Sequence, residues 1–424
     1  MDCYAPKGAG LLPLDDALAR IVSGFGPAVD TETVPLASAR GRVLAEPVTA
    51  PIDVPPAAVS AMDGYGYAAA SGAAASGGAG PFTLPVVGRV PAGSVFSGTV
   101  AAGQAVRIFT GAPVPAGVDT VAMQEDCTAH EDGSVTVNRP PKPGANIRPA
   151  GEDMRAGAVV LHPGARLRAQ DVGLAAAVGR AGLRVRQRVT VVLFSTGDEL
   201  REPGTPKPEG AIYDANRYTI AAQLQALGVE VEDLGILPDR AEVVRDALAG
   251  AAARGHLIVT SGGVSVGEED HVKAAVNALG GIDLWRLAIK PGKPVALGKI
   301  RGGRVGGTPF LGLPGNPVSA MVTFMLIGRP LVMRLMGVEK TAAPRCLAVA
   351  GFSFRKKAGR REFLRATLGT GPDGLPVAHK FPNDSSGVLT SMVEADGLVD
   401  IPADTQEVRE GDMVAFLPFT GLFV

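Results

Sequence analysis

The feature that most constrains this chain is a change of hydrophobic period at Val189. Val189 to Phe194 is an unbroken apolar run of strand length, the pattern of a strand buried on both faces of a parallel sheet. Beyond it the chain alternates. Asn216 to Leu227 reads as a helix closed by Gly228, Val229 to Val231 as a strand and Asp239 to Ala253 as a helix. Leu257 to Thr260, Asp270 to Leu279 and Val295 to Gly298 follow as strand, helix and strand, and Pro317 to Met336 as a long closing helix. Strands alternating with helices predict a doubly wound, three-layer α/β domain over residues 188–337. Thr308 to Gly328 is uncharged and long enough to span a bilayer, but Pro309, Gly312, Pro314, Gly315 and Pro317 break its first half. It reads as strand, turn and helix.

The flanks read differently. Short β-branched runs at Phe82 to Val87, Val106 to Phe109 and Ser134 to Val137, punctuated by Gly and Pro, predict a small β domain over residues 51–146. It is inserted into an elongated linker domain formed by residues 1–50 and 147–187. An amphipathic helix is expected from Leu11 to Ser23, with Asp15 and Asp16 in its first turn. Ala68 to Gly80 is almost wholly Ala, Ser and Gly and reads as a flexible surface loop. Gly302 to Gly307 reads as a hairpin tip. After Gly337 the helical signal ends, and residues 338–424 read as a β-barrel-like domain.

Composition removes several classes of function. Lys+Arg 41 against Asp+Glu 42 leaves a net charge of −1, so no global field draws in nucleic acid or an acidic membrane, and an anion site must be local. Aromatic content of 5% leaves little for base-stacking platforms. Cys3, Cys127 and Cys346 are odd in number and far apart, which fits neither a disulfide framework nor a metal motif and points to a reducing cytoplasm. The N-terminal residues lack the basic and apolar regions of a secretory signal.

In an open α/β sheet, ligands bind beyond the carboxyl ends of the strands where strand order reverses. The polar exceptions fall at such ends: Ser195, Thr196, Gly197, Asp198 and Glu199; Asp239; Ser261, Gly262, Gly263 and Ser265; and Pro314, Gly315 and Asn316. The Ser-Gly-Gly turn can bring bare backbone N–H groups to a phosphate. This turn is not the GxxxxGK[ST] pattern, and no GxGxxG follows a strand of the α/β region, which sets aside the common nucleoside triphosphatase and nicotinamide-dependent readings. Asn316 as N-cap with Pro317 at the first helical position leaves a positive helix end. Lys290 and Lys293, with Pro294 in a Pro-stiffened loop and Arg286 just before it, suit an anion held between them. Asp198, Glu199, Asp239 and Asp270 are the hard oxygen ligands that Mg²⁺ takes. Asp239 with Glu242 equally spells a capping box, and Asp270 a helix start. The five histidines are scattered, without the spacing of a histidine metal site.

The segments SAMDGY, RIFTGAPVP, GED, FSTGDEL, IYDANR, SGGVSVGEED, AIKPGKP and LPGNPVSA, in that order from Ser60 to Ala320, resemble those of the molybdopterin molybdenumtransferase family, which includes the C-terminal domain of gephyrin. A weaker similarity continues through Gly359 to Phe363 and Ser385 to Gly387. The resemblance implies that adenylylated molybdopterin and molybdate become molybdenum-molybdopterin and AMP, with Mg²⁺ at the phosphates. It implies a homodimer whose cleft lies between the α/β domain of one subunit and the first-half domains of the other. Molybdopterin adenylyltransferase and molybdoenzyme chaperones are the protein partners it suggests. By position, Glu199, Asp239 and Asp270 match the acidic residues of the nucleotide and metal region, and Asp63, Thr110 and Asp153 match polar residues facing the cleft. Lys290, Lys293, Pro294, Ser319, Arg365 and Ser386 match the proposed oxyanion site for molybdate. Arg286 stands where the family commonly carries Lys, keeping the charge and changing the donor geometry. Two other functions fit the same fold: molybdopterin adenylyltransferase, which needs only the α/β unit, and a non-catalytic scaffold that binds a protein partner.

Overall fold

The computed structural model describes residues 11–77, 80–263, 271–303 and 306–422. They form two compact units. One takes the described residues up to Ala45, Pro163–Arg168 and those from Gly182 onward; the other takes Glu46–His162 and Ala169–Ala181.

The larger unit contains the α/β layers. Strands β1 (Thr190–Thr196), β2 (Glu230–Leu237), β3 (Leu257–Ser261), β4 (Gly280–Arg286), β5 (Pro294–Ile300) and β6 (Thr308–Leu313) form one sheet in the order β2-β1-β3-β6-β5-β4. Pairs β2–β1, β1–β3 and β3–β6 are parallel, whereas β6–β5 and β5–β4 are antiparallel. The alternation of side chains along β1 explains the layering. Val191 and Leu193 pack with Ile220 and Leu224 of α1 (Ala215–Ala226) and with Val318 and Val322 of the closing helix. Val192 and Phe194 face the other way, onto Val244 and Leu248 of α2 (Ala241–Arg254) and Val272 and Val276 of α3 (His271–Leu279). Each fully buried side chain of this kind contributes roughly 1.5–3 kcal/mol.

The closing helix runs Pro317–Met336 with a π-helical turn at Phe324–Gly328. It is long and apolar enough to cross a membrane, yet 89% of its most apolar stretch is buried inside the protein. The strand, turn and helix expected there are all present.

Beyond it, strands Arg361–Thr370, Pro376–Lys380, Cys346–Ala350, Met413–Pro418 and Gly397–Ile401 pair in that order, and the last returns to the first. The barrel therefore has no free edge. Its interior holds Leu364, Ala366, Val399 and Phe416. Ile289–Lys290, from the loop before β5, adds to it in parallel beside Arg361 and Glu362.

The smaller unit carries a six-stranded sheet that includes Gly64–Tyr67, Phe82–Val90, Ala105–Ile108 and Ser134–Val137, over a core of Tyr67, Phe82, Leu84 and Val135. Three expectations are corrected. Ala69–Ser76 is a helix, closed by Gly77 in the left-handed region, and not part of a loop; alanine is the strongest helix former, and buried Gly72 packs the segment down. Gly280–Arg286 is a strand that the sequence reading left out. The capping box at Asp239 does not form, because α2 starts at Ala241 with Arg240 before it and no side-chain cap.

Candidate active site

Register places the loops. Ser195 lies opposite Ser261, and Ser261 opposite Leu313, so the carboxyl ends of β1, β3 and β6 are level. Strand order reverses between β1 and β3, since β2 and β3 lie on opposite sides of β1. That is the position at which a doubly wound sheet opens a crevice. Because β5 runs antiparallel to β6, with Ala296 opposite Gly312, its amino end and the preceding lysine loop come to this same edge. Arg286, opposite Pro294 at the carboxyl end of β4, is exposed there.

The Ser-Gly-Gly turn is left-handed at both glycines, with φ of +89° at Gly262 and +63° at Gly263. A Cβ at Gly263 would lie 2.6 Å from Val272 Cγ2, and one at Gly262 2.9 Å from the Thr196 carbonyl oxygen. Only glycine fits either position. The Gly262 N–H donates to the Leu313 carbonyl at 3.2 Å, so of the two glycine amides expected to be bare, the one at Gly263 has no partner among the described residues. Beneath the turn, the hydroxyls of Ser195, Thr196 and Thr260 are buried without a hydrogen-bond partner among the described residues. Buried polar atoms of that kind mark a place built for a ligand or for water.

Asn216, which the sequence reading did not select, donates through Nδ2 to Ser261 Oγ at 2.8 Å and to the Gly315 carbonyl at 2.7 Å. Ser261 Oγ in turn donates to the Pro314 carbonyl at 3.3 Å. The IYDANR segment that holds Asn216 was the available signal.

On the other side of the crevice, Gly292 lets the lysine loop approach the closing helix: a Cβ there would lie 2.2 Å from Thr323 Oγ1 and 3.4 Å from the Ser319 carbonyl oxygen. Thr323 Oγ1 is itself buried without a partner among the described residues. Lys290 Nζ pairs with Glu362 at 3.1 Å, the lysine half-exposed and the glutamate buried. Lys293 has no ion pair among the described residues. Asn316 precedes the helix as expected but makes no cap bond; its Nδ2 donates to Ser386 Oγ at 3.1 Å. The Val318 N–H donates to the Ser386 carbonyl at 3.0 Å, so this barrel residue takes one of the helix's free amides. Arg365 is buried, and burial pulls its pKa below the ordinary arginine value, with Asp384 acting against it. Its Nε donates to Ser391 Oγ at 3.0 Å and its Nη2 to the carbonyls of Asn383 and Ser385 at 2.7 and 3.1 Å. Those bonds shape the loop that carries Ser386. Lys290 is thus paired with Glu362 of the barrel, while Ser386, on the loop that Arg365 shapes, bonds the start of the helix that carries Ser319.

The acidic candidates are more dispersed. Asp198 and Glu199 are exposed in the turn after β1, and Asp239 is half-buried after β2. Ser265 and Asp270 lie outside the described residues. In the smaller unit, Asp63 Oδ1 accepts from the Thr110 N–H at 2.8 Å and from Thr110 Oγ1 at 2.7 Å. Those two donors hold the carboxyl below the usual carboxylate range. Asp153 is exposed, and its N–H donates to the Val54 carbonyl at 3.0 Å; no contact among the described residues joins it to Asp63 or Thr110.

A mixed sheet whose carboxyl edge gathers glycine turns, unpartnered hydroxyls and lysines, with a closed barrel supplying part of the lysine side, defines an α/β protein built to bind an anionic small molecule. Known proteins with this layout narrow the class. Residues 12–179 match the MoeA N-terminal region (domain I and II), 192–334 the probable molybdopterin binding domain, and 348–419 the MoeA C-terminal region (domain IV). The chain is 38% identical to molybdopterin molybdenumtransferase of Haemophilus influenzae over 97% of its own length and 100% of that protein. Against molybdopterin molybdenumtransferase 2 of Mycobacterium tuberculosis it is 38% identical over 92% of its length and 96% of that protein. The structure of the molybdopterin biosynthesis MoeA protein from Pyrococcus horikoshii matches at a TM-score of 0.80 and 28% identity, covering 96% of this chain and 100% of that one. The chain belongs to the molybdopterin molybdenumtransferase family.

Proposed function

We propose that this chain moves molybdenum from molybdate onto adenylylated molybdopterin and releases AMP, acting with Mg²⁺ as a cytoplasmic homodimer within molybdenum cofactor biosynthesis. The observation that carries the reading is the two-sided edge: a glycine turn with free carboxylates in the turn next to it, and a lysine loop at the same edge as the start of the closing helix, which Ser386 caps. A phosphoanhydride needs the first and a tetrahedral oxyanion the second.

The residues present suit Mg²⁺. The described residues hold no group of three or more His, Cys, Asp or Glu side chains close enough to ligate a metal, but Mg²⁺ takes only one or two protein carboxylates and fills its shell with phosphate oxygens and water. The carboxylates of Glu199 and Asp239 have no partner among the described residues, so both are available, and Asp270 is assigned to the same role from sequence. When bound, the ion neutralises charge on the phosphoanhydride. The chain's own groups do the rest. The Gly263 N–H donates to a phosphate oxygen and the positive N-terminal end of the closing helix offsets its charge; Lys290 and Lys293 hold molybdate with Ser319 and Ser386. Arg365 fixes the Ser386 loop, and Asp63, Thr110 and Asp153 are assigned to the polar wall of the cleft. Molybdopterin adenylyltransferase and molybdoenzyme chaperones are the proposed partners on either side of the reaction.

Incubating the purified protein with adenylylated molybdopterin, molybdate and Mg²⁺ should release AMP in step with molybdenum-molybdopterin formed. Release of pyrophosphate from ATP and molybdopterin, with no AMP from the adenylylated substrate, would instead make it the adenylyltransferase.

A further inference from the structure

We infer that Asn216 is a positioning residue that sets the spacing between the Ser-Gly-Gly turn and the Pro-Gly-Asn turn, and so the fit of the nucleotide end of the substrate. The inference rests on the function proposed above for what the crevice binds, but not for the existence of the clip itself.

The two hydrogens of the Asn216 amide go to two different turns, Ser261 Oγ after β3 and the Gly315 carbonyl after β6. The Gly315 oxygen can only accept, which fixes the amide with its NH₂ toward it. The arm is anchored independently of both turns. Asp214 caps the helix by accepting from the Arg217 N–H at 3.2 Å. Next to Asn216, the Arg217 guanidinium is buried among Asp214, Asp233 and Glu202. The turns are also tied to each other, by the Gly262 N–H on Leu313 and by Ser261 Oγ on Pro314. Three points then fix a cradle whose glycine amide is otherwise held by a left-handed, Cβ-free turn with no side chain of its own to steady it. A cradle fixed before binding spares the ligand the entropy of ordering it. Asn216 bonds none of Lys290, Lys293, Ser319 or Ser386 directly and reaches Ser386 only through the next residue of the Pro-Gly-Asn turn, so its effect should fall mainly on the glycine side.

Two measurements test this, on Asn216→Ala and on Asn216→Asp, which keeps the size and points a carboxylate at the Gly315 carbonyl. Hydrogen–deuterium exchange should quicken in peptides covering residues 257–263 and 311–319 of either variant, while barrel peptides stay as in wild type. In turnover, the KM for adenylylated molybdopterin should rise about tenfold, as loss of two ordinary hydrogen bonds implies, with the KM for molybdate within about twofold. Adding Ser261→Ala to Asn216→Ala should cost less than the two single losses added together, because the pair shares one hydrogen bond while Ser261 keeps its own to Pro314. Unchanged exchange in both turns overturns the inference whatever the substrate is. Faster exchange with both KM values unchanged, or a fall in kcat alone, overturns the positioning role. Faster exchange in a protein whose wild type releases no AMP leaves the clip standing and removes the function proposed for the crevice.

Discussion

Asp63 Oδ1 takes both donors of Thr110, and the two bonds, aided by the Arg107 charge, lower its pKa against a small opposing effect of burial. The Asp63 carboxylate of SAMDGY and Thr110, the fourth residue of RIFTGAPVP, were both legible as polar groups among turns; their pairing was not, because nothing in either segment encodes a contact across the fold. The same limit hid Asn216: its neighbours in sequence say helix start, and only register reveals which turns it reaches. The Asp63 pair has a pH signature. A folded pKa below the unfolded value of about 3.9 gives stability that is complete above that value and lost as pH falls through the folded one. Thr110→Ala removes the hydroxyl and leaves the N–H, so the Asp63 titration followed by NMR should move part of the way back toward the ordinary range. Its stability penalty should be full at neutral pH and shrink in acid. A midpoint unchanged from wild type would show that the hydroxyl bond is not made in solution.

Arg217 joins elements rather than residues. Its guanidinium ties the start of α1 through Asp214, the loop after β1 through Glu202 and β2 through Asp233, next to the register shift between Leu193 and Ser195. Burial alone would lower its pKa; the hydrogen bond that Arg217 donates to Asp214 and the charges of Asp233, Glu202 and Asp214 overcome it and hold the arginine above its usual value. Asp214 is only 2% exposed, and removing the cation from such a carboxylate costs about 3–5 kcal/mol in well-buried pairs. The half-exposed Glu202 and Asp233 put Arg217→Met near the lower end, about 3 kcal/mol, measured as the shift in urea midpoint. Arg217→Lys keeps the charge without the planar fork and should fall between. A loss below about 0.5 kcal/mol for the methionine variant would mean that water already screens the cluster. Element identity was readable wherever a segment lies deep in the layers, because Val191 to Phe194 and Leu257 to Val259 are apolar on both faces. The edge strand Gly280–Arg286 opens with two glycines and then alternates, a signal too short to separate from a turn. Its antiparallel neighbour β5 read as one more strand, with no mark of direction, although that direction is what carries Lys290 and Lys293 to the site.

At the scale of the whole molecule, the lysine side of the crevice is shared between the α/β layers and the barrel. Ile289 and Lys290 pair in parallel with Arg361 and Glu362, the Arg361 N–H donates to the Ala288 carbonyl at 2.8 Å, and Ser386 caps Val318. The backbone pairing holds the lysine loop whether or not the Glu362 side chain is charged, so that side chain can be altered separately. Its carboxylate sits 3.1 Å from Lys290 Nζ, and an oxyanion arriving at the loop must compete with it for the same ammonium. Because Lys290 is half-exposed, the pair contributes only about 0.2–1 kcal/mol, which converts to roughly a 1.5- to 5-fold change in affinity. Glu362→Gln should therefore lower the KM for molybdate by about that factor and leave the KM for adenylylated molybdopterin alone. The gain should fade as ionic strength rises and the Debye length falls below about 8 Å. A molybdate KM that rises instead would mean that Glu362 orients Lys290 for the anion more than it competes with it, and the barrel's part in the site would then be to aim the lysine.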